Sequence, residues 1–516
     1  MGDSFMQRAV DLPFYHLTND HPSPQESILI RQLIDDNTSQ IHTIESELVE
    51  LKAQISALHE RRRSLLKRNT QLRASFSALR RLPAELLCAV FLEATRPSQR
   101  ETLTSGLRRY PPWYLGHICR RWRTTALAYR ALWDTLYVSP DSKVQPMREL
   151  LARVGPNAAL QICFDDIKDV LALDAQALAL ALTTSPRWIA VNFTAVADWS
   201  WTTVLAGAMP RLERVEMLEN SSAADVPADL FASCPQIRQA LLVGTHVTDF
   251  TLDIQMDWSQ LTHLRVALMP DEHFEILGVA TNLVECVFGT SGRGASRGYD
   301  HPNLSLPYLR ALRTEDAPLL AILTAPQLEE LAVWSETDGL VNEDMAYILP
   351  FLNRSKCPIR RLALFECAAD IDTIVSVLRP LTALESLLIT PPAEENNDAE
   401  WQTALVANLS ALPSTDPAPT QTSLLLPSLK TLFFGYDETA EGAKNVCLPL
   451  IARARSTPLT KLRLFPADGV VRRLSYVAHE GLASLNAVGV DARWISCEHH
   501  SIVEQQWGSF SEKCAV

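Results

Sequence analysis

Between Ile34 and Leu79 apolar residues recur at alternating spacings of three and four, the mark of a helix with one continuous apolar seam. With Ile34 as an a position, the a series is Ile34, Ile41, Leu48, Ile55, Arg62, Asn69 and Phe76. The d series is Asn37, Ile44, Leu51, Leu58, Leu65, Leu72 and Leu79. A seam held this long predicts a coiled-coil helix over 27–79, behind a flexible segment 1–26. An amphipathic helix packed on its own protein is the other reading.

Beyond Trp133 the period changes. A motif P-x-L-x-x-L-x-L returns irregularly, as PRLERVEM at 210, PQIRQALL at 235, PYLRALRT at 307, PQLEELAV at 326 and PSLKTLFF at 427. Looser copies begin at 186, 260, 281, 357, 382, 457 and 481. The short apolar alternation predicts strands with one buried face, and the intervening DVLALDAQALALALTTSP and DIDTIVSVLRPL predict helices. Strand, turn and helix repeated in this way stack into a solenoid, here expected over 139–496 with a tail at 497–516. The array resembles leucine-rich repeats, at irregular intervals of about 19 to 46 residues that imply insertions. Residues 289–303 are glycine-rich and 391–401 acidic; the first lacks a phosphate-loop pattern, and both read as loops.

Between the two regions lies RRLPAELLCAVFLEATRP, residues 80–97. Pro83 suits the first turn of a helix and Glu85 its positive end, ahead of an apolar face of Leu82, Leu86, Leu87, Val90 and Phe91. A second helical stretch places Leu115, Ile118, Cys119, Trp122 and Ala126 at helical spacing. Two short helices are too little to stand alone, which predicts a docking module completed by a partner.

At these residues the chain resembles the F-box family. The start L-P-x-E-[IL]-L is matched by Leu82, Pro83, Glu85, Leu86 and Leu87, a later C-R-x-W-R by Cys119, Arg120, Trp122 and Arg123, and a terminal L-W by Leu132 and Trp133. The likeness covers about residues 80–138 and contains an insertion, SQRETLTSGLRRY, of the kind found in fungal F-box-like proteins. It implies a three-helix module that docks onto the small adaptor subunit of a cullin-RING (SCF-type) ubiquitin ligase. On that reading Leu82, Pro83, Glu85, Leu86, Leu87, Val90 and Phe91 face the adaptor, while Ile118, Cys119 and Trp122 pack the module and its rim. The alternative is a scaffold whose helices only cap the solenoid, in which case Leu86, Val90 and Phe91 are buried.

Charge along the first helix bears on its partner. Residues 35–60 carry Asp35, Asp36, Glu45, Glu47, Glu50 and Glu60 against Lys52, whereas 61–81 carry eight Lys or Arg and no acid. A parallel dimer stacks basic halves and sets Arg62 on Arg62. An antiparallel pairing centred on Lys52 to Gln54 sets Asn37 opposite Asn69, Ile41 opposite Leu65 and Leu48 opposite Leu58, acid facing base. Arg62 then faces Ile44 and has to snorkel outward. The expectation is an antiparallel homodimer with Ile41, Ile44, Leu48, Leu51, Ile55, Leu58, Leu65 and Asn69 in its seam. The run RRRSLLKR also reads as a nuclear-import or nucleic-acid patch, or as a solvated helix side.

Composition adds exclusions. A chain 47% hydrophobic and 21% charged fits an ordinary globular class, and its 516 residues exceed one compact core unless repeats extend it. The net charge of -13 argues against general nucleic-acid binding. No apolar run reaches membrane-spanning length, no signal peptide opens the chain, and the ten cysteines lie singly, as reduced thiols do; cytoplasm or nucleus is the expected compartment. Cys497, His499 and His500, the DEH run at 271–273 and FDD at 164–166 are weak metal or catalytic candidates, better read as caps and turns. No nucleophile elbow, zincin helix or dinucleotide fingerprint occurs. Neither cofactor nor catalysis is expected. The sequence therefore predicts an α/β repeat solenoid preceded by a small all-α module and a coiled-coil helix, and the F-box resemblance implies that it recruits a substrate protein of unknown identity to a ligase.

Overall fold

The computed structural model describes residues 21, 23–76, 78–95, 112–218, 226–243, 254–268, 270–290, 303–334, 339–390, 399–410, 424–436, 440–455, 457–466 and 476–494. They belong to two units, residues 1–89 and residues 90–516.

In the first unit, Pro24–Ala74 is one uninterrupted helix of 51 residues. Ser23 starts it with a reciprocal cap: its hydroxyl accepts from the Glu26 amide at 3.4 Å, and the Glu26 carboxylate accepts from the Ser23 amide at 2.9 Å. Pro24 follows at a position where a missing N–H costs nothing. The helix thus begins before residue 27 and ends before residue 79. Ser75 and Phe76 form a turn, and a short helix resumes at Ala78–Arg81. The run Ser75-Phe76-Ser77 has low helix propensity, which accounts for the break at a point where the heptad pattern continues. Phe76, expected in the seam, lies outside the helix and is 81% exposed.

The second unit is built on parallel strands. In chain order they are β1 (Thr135–Val138), β2 (Leu160–Asp165), β3 (Trp188–Thr194), β4 (Arg214–Leu218), β5 (Gln239–Val243), β6 (His263–Leu268) and β7 (Glu285–Thr290). Then come β8 (Leu304–Ser305), β9 (Ala311–Thr314), β10 (Leu323–Thr324), β11 (Glu330–Val333) and β12 (Arg361–Leu364). The last are β13 (Ser386–Ile389), β14 (Thr431–Tyr436), β15 (Lys461–Pro466) and β16 (Asp491–Trp494). All except β8 and β10, which pair with each other, form one sheet whose spatial order is the chain order. Each strand pairs in parallel with its predecessor, so every connection crosses over, and helices such as Ala175–Leu182, Asn342–Ser355 and Ile371–Leu378 supply the return. This is an α/β array of the solenoid kind, each unit burying its apolar face against its neighbours.

The motif explains the strand. Its first leucine, as in Leu212, Leu309, Leu328, Leu384 and Leu429, is fully buried and closes a turn by donating its amide to the carbonyl three residues back. The residue after it donates to the equivalent residue of the preceding unit, as Arg360 does to Glu329 and Glu385 to Arg360. The second leucine enters an in-register row: Leu264, Cys286, Leu312, Leu331, Leu362, Leu387, Leu432 and Leu462, all without exposure. Eleven of the twelve motif copies open a strand. The copy at 481 does not: it lies in the helix Tyr476–Ala487, where Leu482 and Leu485 share one buried side at helical spacing. Gly481 faces Cys447 of the preceding helix so closely that a Cβ would stand 2.7 Å from its Sγ.

Two further expectations need correction. Residues 135–138, assigned to the helical module, are β1, so the sheet opens at Thr135 and its last described strand ends at Trp494. The strands also do not bury one face only. In the middle of the sheet Ala332, Ala363 and Leu388 are fully buried on the face opposite the leucine row, and Phe365 and Phe433 pack with them beside a half-buried Trp334. The helices Ala399–Ser410, Ala440–Ala454 and Tyr476–Ala487 pack on one another along the final third of the sheet.

Candidate docking surface

The helix Ala84–Thr95 follows Pro83, whose carbonyl accepts from the Leu87 amide at 3.0 Å, and carries Glu85 in its first turn, where a negative charge meets the positive end of the dipole. Its apolar residues divide into two stripes by helical phase. Leu87 and Phe91, four apart, are fully buried. Leu86 and Val90, also four apart but turned by about 100°, are 54% and 42% exposed. Pro83 and Glu85 are exposed and Leu82 is half-buried. Leu87 and Phe91, expected to face a partner, are therefore interior residues; the exposed stripe is Leu86 and Val90. Burial also raises the pKa of the neighbouring Cys88 thiol, with Glu85 adding to the shift.

The second helical element comprises a 3-10 turn, Pro112–Tyr114, and the helices Leu115–Ile118 and Arg120–Ala128. Cys119 breaks the last two with an extended backbone, and its sulfur accepts from the Trp122 amide at 3.5 Å. Arg123 Nε donates to the Gly116 carbonyl at 2.8 Å, which holds the two helices together. Trp122 is half-buried with its ring 4.8 Å from that of Phe91, so it packs the module as expected. Ile118 is 60% exposed, with Tyr114 at 57% and Cys119 exposed as well, so these residues lie on the surface of the module.

Leu132 and Trp133 are buried. Trp133 Nε1 donates to the Ala126 carbonyl at 2.8 Å, its ring meets Trp113 edge-on at 4.6 Å, and the Arg153 guanidinium lies 4.2 Å from one ring and 4.8 Å from the other. Arg153 comes from Val144–Val154, the helix after β1. Residues 112–133 are thus packed onto the first unit of the sheet. The residues that distinguish a docking helix from a cap divide between the two: Leu86 and Val90 are exposed, Phe91 is buried.

The sheet face opposite the leucine row carries polar and charged side chains on either side of the central apolar group. Toward the N-terminal end, Asn192 donates to Glu216 at 2.6 Å and accepts from Thr194 at 2.6 Å, while Arg214 reaches Gln161 at 3.1 Å and Glu216 at 3.5 Å. Nearer the middle, Arg313 and Glu285 form an almost fully buried pair at 3.4 Å, and Arg361 pairs with Glu330 at 2.5 Å. At the far end Arg463 pairs with Asp491 at 2.6 Å. Sequence reasoning missed a third use of arginine. Arg187, Arg354 and Arg453 donate to carbonyls that the preceding turns leave open: Arg187 to Gly155 and Ala158, Arg354 to Leu320 and Leu323, and the fully buried Arg453 to Leu409, Leu425 and Leu426. Burial pulls the Arg453 pKa down to about 10.

Among the described residues no three His, Cys, Asp or Glu side chains gather as a metal site would require. Burial pushes the thiols of Cys234, Cys357 and Cys447 up to about 11 and that of Cys367 to about 12, far from the thiolate that a nucleophile needs. Asp165 is nearly buried in β2, and Asp166 takes a left-handed turn conformation with Lys168 at 3.2 Å. Residues 271–273 fall in the first turn of the helix Pro270–Val279. Cys497, His499 and His500, the tail 497–516 and most of the two loop insertions lie outside the described residues. No described helix is long and apolar enough to cross a membrane. No protein-family model matches the chain, and no curated protein matches it.

Proposed function

We propose that this chain is the substrate-recruiting, F-box-like subunit of a cullin-RING (SCF-type) ubiquitin ligase. The observation that carries the reading is the two-sided helix Ala84–Thr95, which keeps the apolar stripe Leu86 and Val90 in water on the stretch that resembles the family's docking start. An exposed apolar stripe on a short helix is what a groove on a partner protein recognises. Pro83, Glu85, Leu86 and Val90 are assigned to the adaptor, with Ile118 and Cys119 at the second element; Leu87, Phe91 and Trp122 hold the module's shape. The sheet array, read as leucine-rich-repeat-like from its strand motif, recruits a substrate protein. The mechanism is proximity: a substrate held beside a ubiquitin-charged enzyme meets it at high effective concentration, and this chain contributes no reacting group. Cytoplasm or nucleus is the compartment that follows from the reading.

The test is co-purification of the full chain with the adaptor subunit, as wild type and as Leu86→Asp plus Val90→Asp. Both residues are exposed, so the variant should keep the wild-type circular dichroism. Binding that is lost in the folded variant supports the reading. A folded wild-type chain that fails to bind overturns it, and leaves residues 112–133 as a cap on the array, a role that the burial of Leu132 and Trp133 favours.

A further inference from the structure

The long helix offers a second interaction surface, and its charge pattern names the occupant. Ile41, Ile44, Leu48, Leu51, Ile55 and Leu58 are each 48–63% exposed, and no residue of Pro24–Ala74 is buried. We infer that this helix pairs antiparallel with the same helix of a second copy, in a register centred on Ala53.

Register is the first argument. Centred there, each seam residue between Ile34 and Leu72 meets another seam residue: Ile34 meets Leu72, Asn37 meets Asn69, Leu51 meets Ile55. The helix ends two residues past Leu72, and the next heptad position, Phe76, has left it, so seam and helix finish together. The two polar asparagines fall opposite each other, which satisfies amide with amide and penalises shifted pairings. Arg62 meets Ile44, and its guanidinium comes within a turn of Glu45 and Glu47 of the second copy.

Charge is the second argument. Antiparallel pairing sets residues 33–45 of one copy, with Asp35, Asp36 and Glu45, along the basic stretch 61–73 of the other, twice in each dimer, and brings Glu47 beside Arg61 at the edge of the seam. A parallel pair would set Arg62 on Arg62 and Arg68 beside Arg73. In the antiparallel rod the two Ala74 residues lie about 60 Å apart at 1.5 Å per residue, and each chain leaves toward its own helix Ala84–Thr95 from an opposite end. The assembly is therefore bivalent for whatever each copy holds.

The experiment uses the full chain. Light scattering should give twice the 57.4 kDa chain mass. A single non-canonical, spin-labelled residue at the exposed Ser39 should report a label separation of roughly 40 Å, against less than about 20 Å for a parallel pair. Arg61→Glu plus Arg62→Glu should weaken dimerisation at least about tenfold, and adding Glu45→Lys plus Glu47→Lys should restore it. A monomer, a higher oligomer, a short label separation, or indifference to the two-residue reversal would overturn the inference.

Discussion

Leu48 and Leu388 both sit in leucine-rich, periodic segments, yet Leu48 is 48% exposed and Leu388 is fully buried. In the long helix a seam with a period of three and four finds no cover, and not one of its 51 residues is buried. In the middle of the sheet residues on both faces are buried, so alternation that predicted one wet face is read wrongly there. The difference is one of neighbours. A strand is flanked by the strands before and after it and packed by their helices, whereas a two-stranded seam is completed only by another helix. Periodicity tells which residues share a face; it does not tell what lies against that face.

Substitutions sharpen the contrast, and the largest effects belong where cover is complete. Trp133→Ala removes a buried ring, its bond to the Ala126 carbonyl and its contacts with Trp113 and Arg153; a loss of about 3–5 kcal/mol is expected, read by chemical denaturation. Next come Leu387→Ala and Leu388→Ala, adjacent residues on opposite faces. Each should cost about 2–5 kcal/mol, and a near-harmless Leu388→Ala would show that the second face is not a core. Leu86→Asp, on the exposed stripe, should change stability by no more than about 0.5 kcal/mol in the same assay.

The smallest effect is that of pH on surface ion pairs. The hydrogen bond from Lys430 holds Glu385 below its usual range, and that from Arg463 does the same for Asp491. Because their folded values lie below the unfolded ones, these pairs contribute above the unfolded carboxylate range. The contribution fades as pH falls through the lowered values, below about pH 4. Thermal midpoints of wild type and Glu385→Gln should therefore differ slightly at pH 7 and converge near pH 3.

Much of this was legible in the sequence because its motifs encode local geometry. P-x-L-x-x-L-x-L carries its own turn, buried leucine and strand, and the three-four seam carries its own helix. The failures are equally local. GLASLNAV satisfies the strand motif loosely, but Leu482 and Leu485 at a spacing of three suit one helix side. Phe91 is expected on the docking face with Leu86 and Val90, although only helical phase decides that it joins Leu87 inside and not Leu86 outside. Strands β1, β2 and β16 are opened by no copy of the motif, and the carbonyl-capping arginines show no pattern until the turns they serve are folded.

The most direct test of the account is the affinity of the full chain for the adaptor subunit, wild type against Leu86→Asp plus Val90→Asp, with helix content followed in parallel. If the exposed stripe is the docking surface, the variant should bind at least about thirtyfold more weakly while its spectrum stays unchanged. Equal affinity in the two proteins, or none in a folded wild type, would contradict it.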